Sequence, residues 1–498
     1  MSQRVLFINF NETIVLGALE QVLKSDLSNF ERVYHIGNSR LSSKVEGTSN
    51  YVFMCFWDAI NLPLSTQDGE VIDADLLASL AKYEYQLLLM LGRTSKVLDL
   101  RFHNLTLRRH LYYMHLGFWL NYLRTNKINK ILFFEIPHAG FDYVIYLLAV
   151  RMNLKIVICS HSQIADTMFV SDSVCTLYDD IGVSYQQKLK EEAYNITPSG
   201  RAQKEFNLRC SQQAPYYMIK TQEKAFNKYK RYLKLLSMNS ISTVYARCCT
   251  YYRRNKLIKR ELLVPAIKAC SEVSLTDKYI YFALHLQPEC TTLPMGGRYV
   301  DQYLAIKLLV KHLPKGMKLY VKEHPTMYTY HDPSGRFKEF YELIYNLPNV
   351  KMVKPNISTF ELIKCSQAVA TITGTVGWEA LFQEKNVFVF GNIFYKYCHG
   401  VYPISSEKDV IESIDKIFNQ KKQVDLNKVK LYFKAIEECS FWGTSYGDLL
   451  KISERSLEEN VEFVSNLLRN LIKHDFKLTP KIKYEIKADL ASRDLLTE

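Results

Sequence analysis

Lys322-Glu323-His324-Pro325 follows directly on Lys318-Leu319-Tyr320-Val321, an alternating run of strand character. An ammonium and an imidazole at the carboxyl end of a strand can both contact a phosphate, and a following proline fixes the turn that presents them. A plain ion pair between Lys322 and Glu323 is the simpler alternative. A second group is Ala370-Thr371-Ile372-Thr373-Gly374-Thr375-Val376-Gly377-Trp378-Glu379, an apolar strand that ends in small hydroxyl and glycine residues and opens a helix. Outward backbone N–H groups at Gly374, with the Thr373 and Thr375 hydroxyls, suit an anion there. An N-capped helix with Gly374 serving the turn is the other interpretation. Glu379, in the first turns of that helix, either takes hydrogen bonds from a ribose or complements the helix dipole. A third group, Gln287-Pro288-Glu289 followed by Thr291-Thr292-Leu293-Pro294-Met295-Gly296-Gly297, is a loop suited to sugar or base hydroxyls, or an ordinary surface loop.

A fourth set lies in the first third of the chain. The apolar run Ile131-Leu132-Phe133-Phe134 ends in Glu135, and His138 and Asp142 follow within seven residues. In open parallel sheets ligands sit beyond the carboxyl ends of the strands, which is where all four sets fall. Glu135, His138 and Asp142 are candidates for a catalytic base or nucleophile; a structural loop with a capping aspartate is the alternative.

The elements that must position these residues alternate twice between strand and helix. Val5 to Phe10 and Val33 to Gly37 read as buried strands flanking a helix from about Ile14 to Lys24, and Lys155 to Cys159 as a further strand beyond the helix Tyr143 to Met152. From about Asp179 to Leu275 the strand pattern vanishes. It restarts with strands at Tyr279–Leu284, Lys318–Lys322, Val350–Val353, Ala368–Thr373 and Asn386–Phe390, separated by helices. The expected organisation is an N-terminal Rossmann-like domain over 1–190, a basic helical connector over 191–275, a C-terminal Rossmann-like domain over 276–410 and a helical region over 411–498.

The 498 residues, 48% of them hydrophobic, support more than one core. No run of 18 apolar residues occurs, and Met1-Ser2-Gln3-Arg4 is too short for a leader, so a cytoplasmic protein is expected. Eleven scattered cysteines, with Cys248-Cys249 adjacent and no CxxC, predict reduced thiols and no zinc site. Residues 201–260 hold fifteen Lys and Arg against Glu205 and Glu223, which equals the whole net charge of +13. With no nucleic-acid module in sight, that stretch is expected either as a solvated helical face or as a contact with the anionic inner face of a membrane.

Gln287-Pro288-Glu289, Val321-Lys322-Glu323-His324-Pro325, Thr373-Gly374-Thr375-Val376-Gly377-Trp378-Glu379-Ala380, Val389-Phe390-Gly391 and Phe394-Tyr395 together resemble bacterial capsule and surface-polysaccharide biosynthesis glycosyltransferases. The resemblance is to the Kdo transferases, and more distantly to bacterial sialyltransferases. It covers 279–406 well and 131–170 loosely. It implies an α/β, GT-B-like fold with two Rossmann-like domains facing a central cleft, the acceptor side N-terminal and the donor side C-terminal. It implies a CMP-activated Kdo-like or other nonulosonic acid as donor, with His324 and Pro325 at the phosphate and cytidine and Thr373 and Thr375 at the phosphate. The acidic pair followed by glycine of the sialyltransferases is not matched: Asp179-Asp180-Ile181-Gly182 has an extra residue.

The function so implied is transfer of that sugar onto a growing capsule or lipopolysaccharide glycan. The donor-binding set is Gln287, Glu289, Lys322, His324, Pro325, Thr373, Gly374, Thr375 and Glu379. Neither a cofactor nor an obligatory metal is expected, the CMP-sugar being a co-substrate. A nucleotide-diphosphate donor, such as an NDP-sugar or CDP-glycerol, and a non-catalytic nucleotide-binding regulator are the alternatives. The expected partners are the nucleotide-sugar, a glycan or glycolipid acceptor and an anionic membrane surface, with no nucleic acid.

Overall fold

The computed structural model describes residues 3–8, 13–26, 29–41, 50–62, 69–94, 105–161, 164–191, 200–210, 264–287, 289, 291–328, 336–337 and 339–494. The strands in chain order are β1 (Arg4–Ile8), β2 (Arg32–Gly37), β3 (Tyr51–Cys55), β4 (Lys130–Phe133), β5 (Lys155–His161), β6 (Thr167–Ser171), β7 (Cys270–Ser271), β8 (Tyr279–Ala283), β9 (Lys318–Lys322), β10 (Val350–Val353), β11 (Ala368–Thr371), β12 (Asn386–Val389), β13 (Val401–Pro403) and β14 (Phe441–Trp442). They form two seven-stranded sheets, one in each of two compact units.

The first unit holds the chain up to Gln187 together with Ala435–Glu498. Its sheet runs β14-β6-β5-β4-β1-β2-β3, parallel from β5 to β3, with β6 and β14 added antiparallel at one edge. Val5, Leu6, Phe7 and Ile8 are all buried, because helices cover both faces of the sheet. One of these is Thr13–Asp26, whose Ile14, Ala18 and Val22 share a core with Phe463, Val464, Leu467 and Leu471 of the helix Leu457–Lys473. Gly17 permits that approach, since a Cβ there would lie 3.2 Å from Val461. Lys130 and Lys155, at the amino ends of β4 and β5, both bind Asp475 just after the same helix. The residues beyond 435, read in the sequence with a separate helical region, thus pack on the N-terminal half.

The second unit holds Lys188–Lys434. Its sheet, β13-β12-β11-β8-β9-β10-β7, is parallel throughout. Leu319 and Val321 of β9 point into a core with Ile280, Phe282, Ala368, Ala370 and Phe388. On the opposite face Tyr279 and Tyr320 stack at 4.2 Å between centroids, a pair contributing about 0.5–1.5 kcal/mol beyond its buried area. Of the basic stretch 201–260, only residues up to 210 are described, within the helix Gly200–Cys210, so the expected membrane face lies otherwise outside the described residues. Among the described residues no helix is long and apolar enough to cross a membrane.

In both sheets the order in which strands are added reverses. In the first the chain builds β1, β2 and β3 to one side and returns to β4 on the other; in the second it builds β8, β9 and β10 and returns to β11. The carboxyl ends of β1/β4 and of β8/β11 are therefore the two switch points, where a crevice opens between loops that diverge.

Candidate functional site

Lys322 closes β9 and is 5% exposed. Its Nζ donates to Ile357 O at 2.5 Å and to Thr359 Oγ1 at 3.2 Å, and among the described residues no carboxylate lies within 4 Å of it. Burial pulls the ammonium down to about 8. Two neutral acceptors satisfy two of its N–H groups without neutralising the charge, and a buried, uncompensated cation is a costly arrangement that an anionic ligand relieves.

The expected alternative of a Lys322–Glu323 ion pair is not what forms. The backbone alternates at the strand end, so Glu323 faces away from Lys322. Its carboxylate accepts from Arg336 Nε at 3.1 Å, Arg336 Nη2 at 3.3 Å and Tyr341 Oη at 2.8 Å. It also accepts from the His324 N–H at 2.6 Å, which ties the His324 backbone to this buried pair. The turn into Pro325–Tyr328 then leaves the His324 side chain half-buried and Pro325 exposed. Burial lowers the imidazole's pKa, Glu323 opposes this, and Arg336 and Lys322 reinforce it.

At the switch point, His285 lies just beyond β8 and reaches across to the loop after β11. Its Nε2 sits 2.9 Å from Thr371 Oγ1 and accepts from the Thr373 N–H at 3.2 Å. Thr371 Oγ1 in turn accepts from the Gly374 N–H at 3.1 Å, and the Thr373 hydroxyl donates to Thr291 O at 3.0 Å. The Gly374 amide and the Thr373 hydroxyl that the sequence offered to an anion are thus already engaged, and so is the Thr373 amide. Local hydrogen bonding has taken donors that would otherwise face outward. Gln302 holds the His285 backbone from both sides, Oε1 accepting from its N–H at 2.8 Å and Nε2 donating to its C=O at 3.3 Å, while Arg336 Nη2 donates to that C=O at 2.7 Å. Burial drives the His285 imidazole down to about 3, with His324 and Arg336 adding to the effect.

The remaining donor-side candidates have varied surroundings. Gln287 is buried and braces its own loop, donating to Thr292 Oγ1 at 2.8 Å, and Glu289 accepts from Thr291 Oγ1 at 2.9 Å. Pro288, between them, lies outside the described residues. Thr375 opens the helix Thr375–Leu381 after Gly374, and Glu379 sits on its second turn. The Tyr281 phenol is raised above its ordinary pKa chiefly by burial; a hydrogen bond with Thr359 opposes this and the Glu379 charge adds to it.

In the first unit, Glu135 lies half-buried two residues past β4, at the β1/β4 switch point. Asp142 has a different task. Its carboxylate accepts from the N–H groups of His138 at 2.9 Å and of Ala139 and Tyr143 at 2.7 Å, capping the helix Phe141–Arg151. The chain enters that helix through Gly140 at φ +93°, a conformation that favours glycine. Asp142 therefore holds the loop that carries His138, whose Nδ1 lies 2.6 Å from Ile136 O. Next to this loop, His161 at the end of β5 pairs through Nε2 with Ser445 Oγ at 2.9 Å, and Ser445 donates to Phe134 O at 3.4 Å.

Residues 176–402 match the family model described as capsule polysaccharide biosynthesis protein. They include every donor-side residue named above, and the resemblance read from the motifs is borne out. No curated protein matches the chain. Among solved structures, the β-Kdo 2,7 transferase KpsC of Thermosulfurimonas dismutans is similar at 12% identity, with 70% of this chain and 88% of that one covered and a TM-score of 0.30. The UDP-GlcNAc 2-epimerase of Methanocaldococcus jannaschii is similar at 10% identity, with 88% and 99% covered and a TM-score of 0.26. A glycosyltransferase of Rickettsia africae is similar at 10% identity, with 94% and 99% covered and a TM-score of 0.27. At these identities and scores, no activity passes from them to this chain.

The matched segment also contains residues that motif reading passed over: His285, Gln302, Arg336 and Tyr341. His285 was open to discovery, as a polar residue directly after an apolar strand and two before Gln287. Arg336 carries no such signal, because it meets Glu323 only through the folding of the intervening loop.

Proposed function

We propose that this chain is a glycosyltransferase of capsule or lipopolysaccharide assembly that takes a Kdo-like or other nonulosonic acid from its CMP-activated form and passes it to a glycan acceptor. The observation that carries the proposal is Lys322, a buried ammonium with no carboxylate within 4 Å among the described residues, two positions before His324 at a strand end within the segment that matches the capsule model. A nucleoside monophosphate leaving from an ulosonic carbon develops negative charge on its phosphate, and two cationic or hydrogen-bonding side chains held in place by the fold stabilise it without reorganising. Thr375 adds a hydroxyl to the same wall, while Thr373 and Gly374 shape it. Glu135 is assigned the base or nucleophile, with His138 three positions further along the same loop as the other candidate.

Thermal unfolding with a nucleotide panel tests the donor class: stabilisation by CMP and CDP, and little by UDP or GDP, is the expected outcome. Release of CMP from CMP-Kdo in the presence of an acceptor glycan tests turnover, and stabilisation by UDP alone would redirect the assignment to a UDP-sugar. The same proposal gives the basic stretch 201–260 a contact with anionic lipid, each Lys or Arg contributing about 1 kcal/mol near such a surface. Equal binding to phosphatidylglycerol vesicles at low salt by the native and a charge-reversed stretch would remove that part.

A further inference from the structure

The hydrogen bonds of the His285 imidazole fix its protonation. Its Nε2 receives the Thr373 backbone N–H, a donor with no alternative role, so Nε2 carries no proton. Thr371 Oγ1, already accepting from the Gly374 N–H, completes the arrangement by donating its own proton to Nε2. Burial holds the ring neutral, and its single proton therefore sits on Nδ1.

Among the described residues no group accepts from Nδ1, although the side chain is only 6% exposed. The ring cannot turn to find a partner. Gln302 and Arg336 hold its backbone from two directions, and its Cε1–Nε2 edge fills the space beside Gly374, where a Cβ would meet Cε1 at 3.1 Å and Nε2 at 3.3 Å. A fixed imidazole with one occupied acceptor and one unused donor stands between the carboxyl ends of β8 and β11, the crevice that a doubly wound sheet offers to a ligand.

We infer that His285 binds the ligand of this crevice directly, its Nδ1–H donating to an oxygen of the bound nucleotide while its Nε2 holds the Thr371–Gly374 turn in shape. The inference rests on the nucleotide assignment of the crevice made above and adds to it a specific donor. It also replaces the two amide donors that the turn has committed internally.

The two ends of the ring can be tested apart. Glutamine places a carbonyl oxygen near the position of Nε2 and has nothing at Nδ1; asparagine places an amide NH2 near Nδ1 and has nothing at Nε2. The apo melting temperature and the nucleotide dissociation constant are measured for the native protein, His285→Gln and His285→Asn, with whichever of CMP, UDP or GDP stabilises the native protein as probe. His285→Gln is expected to melt close to the native protein and to bind the nucleotide about tenfold more weakly, the loss of one hydrogen bond to a charged acceptor. His285→Asn is expected to melt lower and to keep more of the affinity per folded molecule. Native-like affinity in a folded His285→Gln protein overturns the inference. If the native protein answers to UDP rather than CMP, the donor assignment fails and the His285 test proceeds with UDP; if it answers to no nucleotide, both fall.

Discussion

The Glu323 carboxylate and the Arg336 guanidinium meet at 3.1 Å with side chains 0% and 2% exposed, and the same carboxylate accepts the His324 N–H at 2.6 Å. Neighbouring residues thereby differ in their partners: Glu323 is held by Arg336 and Tyr341, while Lys322, among the described residues, meets only the neutral acceptors Ile357 O and Thr359 Oγ1. Removing one partner of a buried pair strands the other, at about 3–5 kcal/mol. Glu323→Ala is therefore expected to lower the urea unfolding free energy by that amount. Glu323→Gln, which keeps an acceptor for Tyr341 and the His324 N–H, should cost less. A loss below about 1 kcal/mol in Glu323→Ala would show that the pair is relieved by water.

Stability should fall in mild acid. His35, His115 and His161 are each lowered by burial to about 4, and His285 to about 3. In the unfolded chain all four take up protons near pH 6.5. Between about 6.5 and 4 the unfolded state then binds more protons than the folded one, so unfolding free energy rises with pH across that window and is lost as pH falls through it. Urea midpoints at pH 7.5, 6.5, 5.5 and 4.5 should be level at first and then decline. Equal midpoints at 7.5 and 4.5 would mean that these rings take up protons in the fold as readily as in the unfolded chain.

Lys322 titrates in the opposite range. With its ammonium lowered to about 8, the charge proposed to face the donor phosphate is complete near pH 6.5 and half gone near 8. Nucleotide affinity is expected to weaken as pH rises from about 7 to 9. In Lys322→Met that slope should vanish along with most of the affinity, while folding is kept, since the apolar replacement removes a desolvated charge. A native slope in Lys322→Met would assign the titration to another group.

Much of this architecture is legible from residues alone because buried parallel strands are continuous apolar runs: Val5 to Ile8 and Ala368 to Thr371 announce themselves. What covers those strands is less legible. The pairing of Gly17 with Val461 and of Lys130 with Asp475 joins residues more than 300 positions apart, and neither carries a mark of its partner. At the site, strand ends located Lys322, His324 and the 371–375 turn. The engagement of the Thr373 amide depended on a histidine 88 residues earlier, visible only once β8 and β11 lie side by side.

Glu135 and Asp142 should separate cleanly under substitution. Asp142 caps three amides, so Asp142→Ala is expected to cost about 1–2 kcal/mol or more in stability, and Asp142→Asn, which keeps one accepting oxygen, to retain most of the turnover. Glu135→Gln, which keeps the shape and one accepting oxygen, is expected to leave the melting temperature near native and to lower kcat by about a hundredfold or more. If Asp142→Asn instead loses activity at native stability, the base or nucleophile belongs at Asp142.

Gly374 offers the most direct test of the switch-point turn. Its backbone, at φ −80° and ψ 147°, is extended and open to any residue, so backbone strain plays no part in an alanine substitution. The obstacle is contact: a Cβ would lie 2.6 Å from Thr371 Oγ1 and 3.1 Å from His285 Cε1. Relief requires that the Thr371 hydroxyl move, and that hydroxyl holds both the Gly374 N–H and His285 Nε2. Gly374→Ala is expected to lose about 1–3 kcal/mol by overpacking and to lose its thermal response to nucleotide with it. Thr371→Ala in the same chain removes the clashing oxygen and should return part of the stability, so that the two substitutions together cost less than their separate sum. The nucleotide response should stay absent in the double variant, because the hydroxyl that joined the Gly374 N–H to His285 Nε2 has gone, and the Thr373 N–H alone is left on the ring nitrogen. Recovery of both stability and response would mean that the turn needs only room, and that the Thr371–His285 contact is incidental.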